Sequence, residues 1–349
     1  MNKIPSKSDE NFQETFLKLL TSETGSYIIK RICQAILTLL LASILSFIII
    51  QLAPGDYVDT LKQNPKISPE RIEELKEQFG LNRSWAEQYF LWLWQIFTKG
   101  DFGTSFVYQR SVSLLISERV SATLLLAFSS LFLTWAIAIP LGIIAAVKQN
   151  NLTDRCLRII SYIGQGFPSF ITALLLLIFA QITTPLFPVG GMTSINHTDL
   201  SWFGKILDIS WHMILPTLAL SITSFASLQR ITRGELLDVL RQDYIQTARA
   251  KGLPENKVIY VHALRNAINP LITLLGFELA SLLSGAFTAE FFFNWPGLGR
   301  LTLQAVQAQD LYLLMASLVV GSVLLVLGNL IADILLKVAD PRIRFENLN

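Results

Sequence analysis

Six stretches of this chain are too apolar and too long to be left in water. A helix that crosses a bilayer needs about 20 mostly apolar residues. Such runs lie at about 32–52, 122–147, 157–182, 211–227, 267–289 and 311–336, the fourth being the shortest. In lipid every backbone polar group must be satisfied within its own structure, so each run predicts a helix. Pro140, Pro168 and Pro216 fall inside or near the middle of runs, a placement tolerated where neighbouring helices pack closely. Only 15% of the 349 residues are charged, against about 25% in soluble domains. Those charges flank the runs instead of forming a patch for nucleic acid. The expectation is an all-α membrane protein with six transmembrane helices. The first run follows a polar tail and is long enough to span, so it is expected to remain rather than be cleaved as a signal.

Orientation follows from where the cations sit in short loops. The loops after the second and fourth runs, with their helix ends, carry Lys148, Arg155, Arg158, Arg230, Arg233, Arg241, Arg249, Lys251, Lys257 and Arg265. The loops after the third and fifth carry only Lys205 and Arg300. The former loops are therefore expected in the cytoplasm, with both termini, as Lys30, Arg31, Lys337, Arg342 and Arg344 also indicate. The tail at 1–26 has Phe12, Phe16, Leu19 and Leu20 at helical spacing. It either lies on the inner membrane surface or is a frayed end with one weak helix.

The loop at about 53–121 is then external, and it holds helices of its own. Ser68-Pro69 reads as an N-cap and first turn, and Gly80 as a stop. A second amphipathic helix is expected at about 84–97, with Trp85, Tyr89, Leu91, Trp92 and Trp94. Its aromatics suit the outer membrane interface or the side of the bundle.

The segment 243–270 is polar where the rest is apolar. Asp243 suits a helix start. Gly252 stands where a left-handed residue closes a helix, and Pro254 follows two residues later. The pattern predicts a short helix over 243–251, a tight corner, then a longer helix running into the fifth span. Thr247, Ala248 and Ala250 would present a face of small residues that lets another surface approach. Arg249 and Lys251 could pair with acids on a partner. The same segment also reads as an amphipathic helix that merely holds lipid headgroups.

The stretch Tyr244-Ile245-Gln246-Thr247-Ala248-Arg249-Ala250-Lys251-Gly252-Leu253, followed by His262-Ala263-Leu264-Arg265-Asn266-Ala267 and Pro270, resembles the EAA loop of ABC importer permeases. It is similar to the dipeptide/oligopeptide/nickel family in its first-subunit type. The resemblance covers nearly the whole chain from Tyr27 onward. It includes Leu52-Ala53-Pro54-Gly55-Asp56, Gly80-Leu81, Gly100-Asp101-Phe102-Gly103-Thr104-Ser105 and Leu215-Pro216. It continues with Glu290-Phe291-Phe292-Phe293-Asn294-Trp295-Pro296-Gly297-Leu298-Gly299 and Asp340-Pro341-Arg342-Ile343-Arg344. Gln246 stands where the motif carries its naming acid.

The resemblance implies a type I ABC importer transmembrane domain over 27–349, in the cell inner membrane, with a cytoplasmic coupling loop at about 228–266. Tyr244, Gln246, Thr247, Ala248, Arg249, Ala250, Lys251, Gly252 and Leu253 would dock on a cytoplasmic ATPase. The implied partners are a second homologous permease, two ATP-binding cassette subunits or domains, an external solute-binding protein and membrane lipid. The implied cargo is di- or oligopeptides, with nickel chelates or glutathione-like compounds as alternatives. This chain would bind no cofactor and catalyse nothing. It has no G-x-x-x-x-G-K-[ST] phosphate loop, which places ATP hydrolysis on a partner.

Other residues invite a role. Glu278 lies inside the fifth span, where an acid is costly and usually faces a cavity or partner. It suits a translocation path, contacting substrate amines, or a bond across helices. Asp333 can pair with Lys337 one turn on. His197, His212 and His262 are scattered and match no zinc motif. Cys33 and Cys156 read as small apolar residues. Phe291–Phe293 and Trp295 read as an external cap, by packing or by docking a binding protein. A stand-alone secondary transporter would show inverted repeats and several intramembrane charges, and an intramembrane enzyme a nucleophile–base or metal set. None of these is evident.

Overall fold

The computed structural model describes residues 23–52, 57, 62 and 68–339. The proposed helix with Phe12, Phe16, Leu19 and Leu20, and the motif pieces at 53–56 and 340–344, lie outside these residues. The described chain is helical almost throughout. Helix α1 is Glu23–Leu52, α2 Pro69–Phe79, α3 Trp85–Lys99, α4 Val112–Val147, α5 Leu152–Gly166 and α6 Ser169–Ile182. They are followed by α7 Trp202–Leu240, α8 Asp243–Ala250 and α9 Glu255–Lys257. A π-helical stretch, Val258–Ala263, leads into α10 Leu264–Ala267 and α11 Asn269–Gly285. Then come α12 Phe287–Phe292, α13 Leu298–Gln307 and α14 Leu311–Ala339.

Five helical stretches are long and apolar enough to cross a membrane, six if the bent pair α5–α6 counts as one. That pair corrects the expected third span at 157–182. The two helices meet at 99°, because Pro168 disfavours helical backbone in the residue before it and Phe167 is extended. Pro140 and Pro216 remain inside continuous helices. The fourth run, short by hydropathy, lies within a helix of 39 residues. Hydropathy marks the part of a helix that meets lipid, and this helix continues into polar sequence at both ends.

Small residues set the helix crossings, as expected where lipid supplies no hydrophobic drive between helices. A Cβ on Gly142 of α4 would come within 2.6 Å of Thr232 on α7. One on Gly164 of α5 would lie 3.0 Å from Ala226. One on Gly276 of α11 would lie 1.9 Å from the Ala332 Cβ of α14. Hydroxyls and amides bridge the first two of these pairs. Ser130 and Ser221 meet at 3.1 Å, and Ser161 donates to Gln229.

The caps read from sequence around α2 are present, and α3 is capped in the same manner. Ser68 accepts from the Arg71 amide at 3.3 Å. Ser84 and Glu87 form a reciprocal capping box, and Gly80 and Gly100 are left-handed at φ +66° and +64°. Helix α3 divides its aromatics. Tyr89 and Trp92 are buried with Phe47 of α1 and Met315 of α14, and Tyr89 Oη lies 2.8 Å from Ser43 Oγ. Trp85, Phe90, Trp94 and Phe97 stay exposed. At the same end Asp310 joins the Gly-Asp-Phe-Gly-Thr-Ser segment to α14. It accepts from Ser105 Oγ at 2.6 Å, from the Val107 amide at 3.1 Å and from the Leu313 amide at 3.2 Å. Burial pushes its carboxyl above the usual range despite these donors.

The Glu290–Gly299 motif is an anchor. The Glu290 carboxylate is buried beside the start of α13, accepting from Thr123 Oγ1 at 2.6 Å and the Arg300 amide at 2.9 Å. Thr123 Oγ1 in turn accepts from the Leu298 amide at 2.8 Å. Phe293 and Trp295 are buried, and Trp295 Nε1 donates to the Ala122 carbonyl at 3.0 Å, so this part of the cap packs inward while Phe291 is exposed. A Cβ on Gly297 would lie 2.1 Å from the Glu290 carboxyl carbon. Gly297→Ala should therefore displace the carboxylate and lower stability by about 1–3 kcal/mol, the usual range for overpacking. Thermal unfolding of the purified variant checks this, and an unchanged midpoint would show that the cradle is loose.

Candidate functional site

Helix α8 sits at the basic end of the bundle between α7 and the approach to α11. Gln242 precedes it in extended conformation, and Asp243 is its first-turn acid, favourable near the positive end of the helix dipole. Gly252 adopts φ +75°, which a residue without Cβ takes without strain. Its amide bonds to the Arg249 carbonyl at 2.9 Å, and the chain turns there towards α9.

Two side chains seat the helix. Ile245 and Ala248 are buried against Ile143 and Ala146 of α4, Leu236 and Leu237 of α7, and Val258, Ile259 and Ala263 of the π-helical stretch. Leu253 packs on the rim of this cluster. Fully burying an isoleucine is worth about 1.5–3 kcal/mol, so α8 is bound to the ends of both long helices. Gln246, Thr247, Arg249, Ala250, Lys251 and Gly252 face outward, as does Tyr244.

This arrangement corrects one expectation and adds to another. Ala248 is not part of an open face of small residues, because it points into the cluster and leaves Thr247 and Ala250 outside. Arg249 already has an acid within this chain. It forms a two-pronged pair with Glu255, Nη2 to Oε1 at 2.7 Å and Nε to Oε2 at 3.2 Å, across the Gly252 corner. Hydrogen bonding to Glu255 raises the guanidinium further above its ordinary pKa.

Several contributors were not singled out from sequence. Asn266 Nδ2 donates to Tyr244 Oη and to the His262 carbonyl, each at 3.0 Å, tying the second half of the motif to the first. The π-helical stretch, a form often found at functional positions, turns Val258, Ile259 and Ala263 inward and Tyr260 and Val261 outward. Asp154 of α5 is buried and accepts from Arg233 of α7 at 2.6 and 3.0 Å, from the Asn150 amide at 2.9 Å, with Arg158 at 3.5 Å. Such a bidentate, charge-assisted pair is among the stronger side-chain contacts. It locks the α4–α5 turn to the end of α7.

Glu278 lies on α11, partly buried. Trp135 Nε1 of α4 donates to its Oε2 at 2.8 Å, and Ser224 of α7 lies beside the carboxylate. Three spans therefore meet at this acid. Asp333 meets Arg31 of α1 at 2.6 Å. The neighbouring helix α1 delivers that guanidinium, and the expected Lys337 side chain lies outside the described residues. His197 and His212 both meet Asp208 through Nδ1. His197 Nδ1 lies 2.7 Å from Asp208 Oδ2, and His212 Nδ1 lies 3.3 Å from Oδ1 and 2.8 Å from the Asp208 carbonyl. His212 stands one turn on from Asp208 in α7, whereas His197 reaches it through the fold of the segment that precedes α7. Among the described residues no group of three or more metal-ligating side chains forms. Cys33 and Cys156 are free and exposed.

Comparison with known proteins places this geometry. Residues 138–345 match the family described as binding-protein-dependent transport system inner membrane component, and residues 25–127 match its N-terminal counterpart. The chain is 42% identical over 322 residues to the oligopeptide transport system permease protein AppB of Bacillus subtilis, covering 92% of this chain and all of that one. It is 35% identical over 319 residues to the dipeptide transport system permease protein DppB of Lactococcus lactis, covering 91% and 99%. Among solved structures it resembles the inward-facing MetNI methionine ABC transporter. That match has TM-score 0.53 and 17% identity, and covers 65% of this chain and 97% of that one, a likeness of fold.

Proposed function

The chain belongs to the binding-protein-dependent transport system inner membrane component family, and from that premise we propose how it works and what it carries. It is a multi-pass permease subunit of an ABC importer. Its cargo is di- or oligopeptides, the class named for relatives that it matches over nine-tenths of its length. Nickel chelates and glutathione-like compounds are the alternatives.

The observation that carries the mechanism is the seating of α8 by Ile245 and Ala248 on the ends of α4 and α7. A groove in a cytoplasmic ATP-binding subunit holds the outward residues Tyr244, Gln246, Thr247, Arg249, Ala250, Lys251 and Gly252. Leu253 braces the corner from within. When two ATP-binding subunits close, α8 moves, and the buried cluster makes α4 and α7 move with it. The path between this chain and a second permease then opens outward, where a solute-binding protein delivers its load. The basic end of the bundle, with both termini, faces the cytoplasm. ATP is hydrolysed by the partners, and this subunit makes and breaks no bonds.

Glu278 lies along that path and meets the ammonium end of the peptide. Uptake of a labelled dipeptide by cells expressing the full transporter tests both statements. ATP-dependent uptake supports the cargo assignment, and uptake of a nickel chelate instead would redirect it. Glu278→Gln keeps an acceptor for Trp135 and removes the charge. It should raise KM for free-amine peptides about tenfold, equivalent to roughly 1.4 kcal/mol, with little effect on N-acetylated ones. An unchanged KM would remove Glu278 from the path and leave it as a bond between helices.

A further inference from the structure

A groove of about 430 Å3 opens between α1, α3 and α14. It lies at the end of the bundle opposite α8, because α4 meets α14 through Val112 and meets the α8 cluster through Ile143 and Ala146. The last turns of α1 supply Ile49, the first turns of α14 supply Leu314 and Leu318, and the entry to α3 supplies Arg83 and Trp85. The groove is therefore apolar along the spans and cationic at its mouth. Its two amides are already satisfied: Gln88 Nε2 donates to the Arg83 carbonyl at 2.9 Å, and its Oε1 accepts from Gln51 Nε2 at 3.1 Å. Arg83 is different. Its side chain lies over Gly80, where an added Cβ would be 3.9 Å from Nε, and it is exposed. No acid lines the groove, and among the described residues the Arg83 guanidinium has no ion pair. Glu77 borders a smaller neighbouring cavity together with Arg83 without pairing with it.

Depth and chemistry together select the occupant. At 1.5 Å per residue, Ile49 lies about 5 Å from the end of α1 and Leu318 about 10 Å from the start of α14. The groove thus runs from the membrane surface a short way into a hydrocarbon layer roughly 30 Å thick. Trp85, exposed at its rim, is a residue type favoured at that surface. A soluble anion would match Arg83 and leave the apolar walls unfilled. An apolar helix would fill the walls and leave the cation unmatched. A phospholipid meets both demands, since a guanidinium binds phosphate oxygens in a two-pronged manner and an acyl chain follows the apolar wall. A headgroup of net negative charge neutralises Arg83, whereas a zwitterionic one brings a cation of its own.

We propose that this groove is a binding site for an anionic phospholipid, with its phosphate on Arg83 and one acyl chain along Ile49, Leu314 and Leu318. The proposal requires only that the spans lie in a bilayer, and it stands apart from the cargo and the coupling to ATP hydrolysis. The test uses the complete transporter in nanodiscs of phosphatidylcholine with a minor fraction of phosphatidylglycerol carrying a photoreactive acyl chain, and maps the adducts by peptide mass spectrometry. Adducts are expected on 46–51 and 311–318. They should fall about tenfold in Arg83→Gln, equivalent to roughly 1.4 kcal/mol, and by a similar factor when the photoreactive chain is on phosphatidylcholine. Leu318→Trp, which fills the apolar part and keeps Arg83, should give the same loss. Equal labelling of the wild type and both variants, or by both lipids, would show bulk lipid passing the groove and overturn the proposal. Loss of labelling on addition of inorganic phosphate would assign the site to a soluble anion instead, and absence of adducts in the wild type would show that protein covers it. Either result overturns the proposal. Unchanged thermal midpoints of the two variants separate these effects from misfolding.

Discussion

Gly276→Val should leave almost no folded protein. The crossing of α11 and α14 is set by the contact of Gly276 with Ala332, where even a Cβ would lie 1.9 Å from the Ala332 Cβ and 3.0 Å from its Cα. Neither atom is the tip of a flexible side chain that can swing aside. The two helices would have to separate along their length, lifting Leu279 and Leu282 from their contacts with Ala127 of α4. Overpacking in a well-filled core costs about 1–3 kcal/mol where side chains can adjust, and here the backbone itself must move, so the loss lies at or beyond that upper end. Apolar character is kept, so insertion into the membrane should persist. Size-exclusion profiles and protease resistance in detergent should show an inserted but unfolded chain. A monodisperse, protease-resistant variant would mean that the crossing is not close-packed.

Ile245→Ala should separate ATP hydrolysis from transport. Ile245 is fully buried and is the largest side chain of α8 in the cluster that joins it to α4 and α7. Truncating a buried isoleucine costs about 2–5 kcal/mol. Most of that loss falls on the seating of one eight-residue helix, because the spans keep their own crossings at Gly142, Gly164 and Gly276. The subunit should therefore fold and assemble, and its ATP-binding partners should still hydrolyse ATP. Peptide uptake should fall to background. Retained uptake with normal hydrolysis would show that Ala248, the Arg249–Glu255 pair and Asn266 hold α8 well enough without it.

The parts of this architecture that were legible in the sequence are those with local causes. Apolar runs marked the spans, Ser68 marked a helix start, and Gly80 and Gly252 marked left-handed ends. The helix at 243–250 follows from Asp243 and Gly252 alone. The rest depends on which distant segments meet. The break at Pro168 looks no different in sequence from Pro140 or Pro216, which stay within helices. Nothing near Asp154 names Arg233, seventy-nine positions away, and nothing near Asp333 names Arg31. The inward turn of Ala248 is likewise invisible in a run of small residues. It emerges only once α4 and α7 supply the surface beneath. The pairing of Arg249 with Glu255 is close in sequence, yet it needs the Gly252 corner to bring the two together.

The central claim, that α8 carries the motion of an ATP-binding subunit into the spans, has a direct test at Ala250, which is exposed on the face away from the cluster. With Cys33 and Cys156 replaced by serine, Ala250→Cys would carry a thiol-linked photo-crosslinker in the assembled transporter. The expected result is a covalent adduct with the ATP-binding subunit, and blocking of the thiol when that subunit is present. A probe at position 250 that labels only lipid, or that reacts only with reagents added from outside the cell, would contradict it.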